Sequence, residues 1–280
     1  MSKEKLLRSF SGGRTSAYMS AVIGDRYADK YEMVTVFANT GCEHERTLEF
    51  VHKCDLAFGL KTVWIEATIN EGRKGTGYKI VDFESASRNG EPFKSMCAKY
   101  GLPNQSYPHC TRELKLQPIN AYLKDIDFVD CLRAVGIRTD EERRRAKDAE
   151  KRNVVYPLLD WLPSDKEDVD LFWEEQDFDL ELPPRLGNCV WCWKKSDTKH
   201  YANILEDANN YEVPLFLDRN YSFCGNGSDI RDKGERTMFR RHRNTHKMIM
   251  DAAQFEIEEL EKYPSINSVS GCTEACEAYA

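Results

Sequence analysis

One pattern narrows the fold more than any other: short apolar, β-prone runs alternate with stretches of helical spacing. The runs are KLLRSF (5–10), YEMVTVFAN (31–39), KTVWIEA (61–67), CLRAVGI (131–137) and NVVYPLL (153–159). Between the first two, RTSAYMSAVIGDRYA places Ala17, Tyr18, Ala21 and Val22 on one helical face; after the second, EHERTLEFVHKCDLAFGL does the same with Leu48, Val51 and Leu56. Alternating strands and helices predict an α/β fold: an open, mainly parallel five-stranded sheet, right-handed crossovers and helices on both faces. Farther on, SDKEDVDLFWEEQ opens with a cap at Ser164 or Asp165 and reads as a helix. Residues 233–262 read as one long amphipathic helix, and 71–108, rich in Gly, Lys, Ser and Pro, as an irregular excursion beside the site. The expected division is a main domain at 1–215, a helical C-terminal extension at 216–262 and a small, polar tail at 263–280.

Totals exclude several classes. No apolar run approaches the roughly 20 residues of a membrane span, and MSKEKLLRSF is too short and charged for a signal peptide. A cytoplasmic protein is the expectation. A net charge of −7 argues against wholesale electrostatic binding of nucleic acid, but leaves room for local basic patches. Two stand out: Arg143, Arg144, Arg145 and Lys147 in one, and Arg240, Arg241, Arg243 and Lys247 with His242 and His246 in the other. Each also reads as a solvated helix face. Ten cysteines spread along 280 residues are many for a reducing compartment, and point to metal, cluster or redox chemistry.

The first strand breaks at Ser11-Gly12-Gly13, directly before a helix with Thr15 and Ser16 in its first turn. Glycines let backbone N–H groups approach an anion, and the helix N-terminus adds favourable partial charge. The turn is neither a Walker A loop nor a Gly-x-Gly-x-x-Gly fingerprint. It resembles the PP-loop, Ser-Gly-Gly-x-x-Ser, of the adenine nucleotide α-hydrolase superfamily, with Thr15 where an Asp is common among ATP-using members. FANTGCEHERTLEFV, CTRELKLQPI, AVGIRTDEERRR and YPLLDWLPSDKEDVDLFW follow, in the order of the phosphoadenosine phosphosulfate (PAPS) reductase-like family, from residue 8 to about 195. The resemblance implies an adenine nucleotide, either ATP or PAPS/APS (adenosine phosphosulfate), at the sheet's carboxyl edge, with magnesium as an optional companion. Ser11, Gly12, Gly13, Thr15 and Ser16 would hold phosphates or a sulfate, and Asn39, Thr40, Gly41 and Gly136 would lie near the nucleotide. Arg112, Lys115 and Arg138 would serve its anionic end as the catalytic cations, Arg being suited to bidentate oxyanion pairing.

RLGNCVWCWKKS carries Cys189 and Cys192 as a C-x-x-C, and CTRELK carries Cys110. In cluster-bearing members such as APS reductases and the DNA-phosphorothioation sulfurtransferase, cysteines in these places ligate a [4Fe-4S] cluster. Here His109-Cys110 replaces Cys-Cys, so the fourth ligand is Cys224, His109 or an open iron position. Zinc is the alternative occupant of the same thiolates, and Cys54 and Cys131 read as core. The tail has Cys272 and Cys276 but lacks the Glu-Cys-Gly-x-His motif of the reductases. Three functions follow as expectations. The first is ATP-dependent adenylation and sulfur transfer, with an unidentified sulfur donor and nucleic acid as a candidate acceptor on the Arg240 face. The second is thiol-dependent PAPS/APS reduction to sulfite, and the third a non-catalytic nucleotide-binding protein.

Overall fold

Each apolar run folds as a strand whose successive side chains point to opposite faces, and helices cover both. The computed structural model describes residues 3–72, 74–183, 185–187, 189–224 and 235–263. Strands β1 (Glu4–Phe10), β2 (Tyr31–Asn39), β3 (Val63–Ile69), β4 (Thr76–Val81), β5 (Leu132–Ala134) and β6 (Val154–Val155) form one sheet in the order β4-β3-β2-β1-β5-β6. All neighbours pair in parallel except β4, which runs antiparallel to β3.

Helices α1 (Arg14–Arg26), α2 (Glu45–Phe58), α5 (Pro157–Asp160) and α6 (Lys166–Glu174) serve one face, where Leu6, Phe10, Phe37 and Trp64 are buried with Ala17, Leu48, Leu158 and Trp173. On the other face Leu7, Val36, Ala38 and Ile65 meet Ile119, Tyr122 and Leu123 of α4 (Gln117–Asp125). This period-two alternation of fully buried residues is the signature of a central sheet covered on both sides. A third core joins α3 (Glu91–Tyr100) to α7 (Asp197–Glu206), α8 (Glu212–Tyr221) and α9 (Thr245–Ala252), with Trp191 and Trp193 between them; α10 (Ile257–Glu261) closes the described chain. Among the described residues no helix is long and apolar enough to cross a membrane.

Four expectations need correction. The sheet has six strands rather than five, because the supposedly irregular 71–108 segment contributes β4 and α3. β4 is an edge strand with Ile80 62% exposed and only Thr76 buried, so it shows no apolar period. Over the described residues 235–262, the expected long helix is instead a 3-10 turn (Arg240–His242), α9 and α10. Asn244, whose side chain accepts from Lys247 N at 2.9 Å, starts α9 afresh. Leu56 lies 72% exposed, and in α1 the fully buried stripe is Ala17, Met19, Ser20 and Ile23 rather than the face through Tyr18, Ala21 and Val22. Asp165 is the cap of α6, accepting from Glu167 N and Asp168 N, and Cys54 and Cys131 are buried as expected. Cys272 and Cys276 lie outside the described residues.

Candidate functional site

From β1 the chain builds outward through β2 to β3, then returns to lay β5 and β6 on the other side of β1. Where the strand order reverses, connections leave in opposite directions and a crevice opens at the carboxyl ends, the usual ligand position in open α/β sheets. Ser11–Gly13 follows β1 and Gly136–Arg138 follows β5, so two of the sequence motifs flank this crevice.

The first of these turns is pre-folded. Gly12 has φ +83°, and a Cβ there would stand 2.6 Å from Thr47 Cγ2 and 3.2 Å from the Phe37 ring. Only glycine fits. The Ser16 hydroxyl accepts from Ser11 N at 3.2 Å, lies 2.9 Å from Ser11 Oγ and donates to Gly13 O at 3.0 Å. Gly13 caps α1 without a side-chain bond, and the first turn of the helix holds no acidic residue. The contact between Gly12 and Thr47 brings the start of α2 alongside, so two helix N-termini meet at one point. Their partial positive charges favour an anion.

Arg138 is 3% exposed and donates to Thr15 Oγ1 at 2.9 Å, tying the segment after β5 to the first turn of α1. Its guanidinium also pairs with Asp140 at 2.9 and 3.0 Å and approaches Glu141 at 3.7 Å. Glu141 is shared with Arg144. The Arg138 hydrogen bond is the main cause holding the Asp140 carboxyl below its ordinary value. Gly136 is buried just before this arginine.

The loop after β2 forms the crevice's other wall. The Asn39 side chain donates to Glu66 Oε1 (2.7 Å) and Ser87 O (2.9 Å) and accepts from Gly41 N (3.0 Å). Gly41, at φ +76°, would meet Ser87, Pro92 and Gly90 within 3.2 Å if it carried a Cβ. Glu43, 8% exposed, accepts from Thr40 N (2.9 Å), Thr40 Oγ1 (2.9 Å) and Cys42 N (3.2 Å). Burial pushes its carboxyl up, opposed chiefly by the charge of Lys115. Lys115 is 8% exposed on a π-helical turn, Arg112–Leu116, that leads into α4. π turns are rare and cluster at functional sites. Arg112 opens the same turn with its side chain 58% exposed and Nε on Glu113 Oε1 at 2.7 Å. Its side chain borders a cavity shared with Tyr107, His109 and Arg236.

The cysteine loop docks on that wall: Cys189 pairs with Glu43 in an isolated β-bridge, and Val190 N donates to Cys42 O. Lys195, 3% exposed, donates to Leu186 O and Val190 O, and Asn203 donates to Val190 O at 3.2 Å. The buried His200, hydrogen-bonded through Nδ1 to Tyr211 at 2.6 Å, has its pKa lowered well below 6.5 by burial and the nearby cations. Cys110 and Cys189 pack against the same core. Cys224 lies on the segment that abuts Gly101. Among the described residues, however, no three His, Cys, Asp or Glu side chains gather as a metal-holding group, and the described cysteines form no disulfide. Cys110, Cys189, Cys192 and Cys224 thus stand here without a gathered ligand set among the described residues.

The fold and crevice define a PP-loop α/β protein, with a diglycine turn, converging helix N-termini and a buried arginine at the point where the strand order reverses. The chain belongs to the phosphoadenosine phosphosulfate reductase domain family, within the PP-loop adenine nucleotide α-hydrolase superfamily; the family model matches residues 5–179. A relative over nearly the whole length is the uncharacterized nin region protein of Escherichia phage lambda, 30% identical over 291 residues, covering 97% of this chain and 94% of the relative. Two uncharacterized proteins of Methanocaldococcus jannaschii match more locally. One is 26% identical across 56% of this chain and 33% of its own length, the other 27% identical across 51% and 25%.

Sequence reasoning missed Glu43 and Glu66, whose carboxylates shape the loop after β2. Glu43 directly follows the Asn-Thr-Gly-Cys stretch, and a carboxylate just past a strand end was the available signal.

Proposed function

We propose that the chain is an adenine-nucleotide-dependent enzyme that activates an acceptor oxygen by adenylation and then transfers sulfur. The acceptor oxygen attacks the α-phosphorus of ATP and pyrophosphate leaves; a sulfur nucleophile supplied from outside then displaces AMP. The supporting observation is the Arg138–Thr15 bond, which sets a buried guanidinium against the diglycine turn across the crevice. In this reading the turn's N–H groups and Arg138 oppose the charge that grows on the departing pyrophosphate. Preorganised donors cost no reorganisation in the transition state, and removing one typically lowers kcat about 100-fold or more. Glu43 holds Lys115 and the Thr40 loop in place behind them.

The test is pyrophosphate release from ATP by the full chain, with Arg138→Ala as the variant. A fall of about 100-fold in the variant is expected. Absence of ATP binding and of pyrophosphate release from the native chain would refute the reading. A second reading, reduction of PAPS or APS by a thiol, is favoured by the family's printed description. Sulfite formation from either nucleotide, in place of pyrophosphate release from ATP, would select it.

A further inference from the structure

The π-helical turn separates two places. Lys115 is buried toward Glu43, whereas Arg112, three residues earlier, borders a cavity of about 440 Å³ walled by Tyr100, Tyr107, His109 and Arg236. These walls are aromatic and cationic. The Arg236 guanidinium lies 4.1 Å from the centre of the Tyr107 ring, and the Tyr100 and His109 rings are 6.0 Å apart. Tyr107 is 42% exposed, so part of its ring is open to a ligand.

The walls are held rigidly. Asn104 accepts from Ser106 N (3.0 Å) and Tyr107 N (3.1 Å) and donates to Thr237 O (2.8 Å), clamping one side of the cavity to the other. Arg236 donates to Tyr100 O at 2.9 Å and Leu102 O at 3.4 Å. Ser106 also lines a second cavity of about 120 Å³, bordered by Trp193, Arg240, Arg241 and His242. The two cavities therefore adjoin as one trough. Its far end is a tight turn closed by Phe239 N donating to Arg243 O at 3.1 Å. Arg241 and His242 both take left-handed backbone there, at φ 57° and 54°. Such backbone is unfavourable for residues with side chains and persists where surrounding structure imposes it; here it leaves Arg240, Arg241 and His242 exposed.

In a chain of net charge −7, a row of Arg112, Arg236, Arg240 and Arg241 along one trough runs against the overall balance. Aromatic rings and guanidinium planes offer stacking surfaces that bases can reach only when unpaired. We propose that this trough binds a single strand of nucleic acid, one base stacking at Tyr107 and Arg236 and the backbone running past Arg240 and Arg241. Its role as the acceptor of the adenylation rests on the function proposed above; the binding itself rests on the trough alone.

The experiment is fluorescence anisotropy of a labelled oligothymidylate about 16 nucleotides long, titrated with the full chain at several salt concentrations and without ATP. The single strand should bind more tightly than the matching duplex. Tyr107→Ala should weaken binding about 5- to 150-fold, the range of one base–aromatic stack. Arg241→Gly removes a charge while relieving the left-handed backbone; it should raise the melting temperature yet make the salt slope shallower by about 0.7, the value for one phosphate on a single strand. A structural role alone would not split these readouts. Absence of single-strand binding, equal affinity for duplex, competition by AMP as effective as by oligonucleotide, or native affinity in both variants would each overturn the proposal. ATP affinity, measured by calorimetry without oligonucleotide, tests the proposed nucleotide function separately, so the two can fail independently.

Discussion

Replacing Glu43 tests how the loop after β2 is held. Its carboxylate accepts two backbone N–H groups, those of Thr40 and Cys42, together with the Thr40 hydroxyl. Each buried N–H left without an acceptor costs roughly 1–3 kcal/mol, so Glu43→Ala exposes the fold to a loss of about 2–6 kcal/mol. Water entering the vacated space satisfies part of this, which sets the expectation at about 3 kcal/mol. Glu43→Gln keeps one carbonyl oxygen for both N–H groups, while the Thr40 hydroxyl can turn to accept from the new amide. Its loss should be about 1 kcal/mol, from the less favourable hydrogen bonding of the amide that replaces the second oxygen. Urea denaturation followed by circular dichroism measures both, with calorimetric ATP affinity as the functional readout. The pH dependence has a definite sign. Burial raises the Glu43 pKa above 4.5 in the folded chain, so its contribution to stability is complete below that value and declines as pH rises through the folded pKa. The gap between native and Glu43→Gln should therefore narrow as the medium goes from acid to neutral. Equal losses for Ala and Gln would refute the hydrogen-bond account. A loss below about 1 kcal/mol for Ala would refute the burial argument itself.

Gly12→Ala combines a positive φ with a 2.6 Å approach to Thr47; strain and overpacking together predict a loss of about 2–5 kcal/mol in urea melts. Arg138→Ala should return the Asp140 carboxyl to its ordinary range in a carbon-detected NMR titration. In the native chain, the Arg138–Asp140 contribution is complete above the unfolded value of 3.8 and is lost as pH falls through the lowered folded value. Buried His200 resists protonation, so stability should fall as pH drops below 6.5, by at most about 1.4 kcal/mol per unit for one proton. His200→Gln should flatten that slope in pH-dependent melts, while an unchanged slope would show that another group controls it.

The sequence made the central sheet readable because its strands are covered on both faces: YEMVTVFAN is apolar almost throughout, and the strand found there has those same limits. β4 escaped because an edge strand needs little apolar surface, and α3 because Pro92 and the flanking glycines resemble loop chemistry until Pro92 is seen in the first helical turn. The diglycine turn and the Gly-Ile-Arg stretch were legible as separate motifs. That Arg138 would reach Thr15 follows only from β5 lying beside β1, a fact of strand order rather than of local pattern. The cysteines carried a compositional signal, yet spacing alone does not fix how distant thiolates gather in space. The basic segment around Arg240 misled for a physical reason. Arg243 is 7% exposed and bound to Asp197 and Asp251, so part of an apparent surface stripe serves as internal glue.

The wide turn at Arg112–Leu116 makes this stretch unusually sensitive to length. Removing a single amino acid inside it would let the winding become regular, rotating what precedes the cut by about 100° relative to α4. Arg112 and Lys115 could not then keep both of their present outlooks, one to the trough and one to Glu43. Relatives with one residue fewer at this point should therefore have had to reinvent one of the two contacts, which makes chain length here, rather than residue identity, the trait to compare among them.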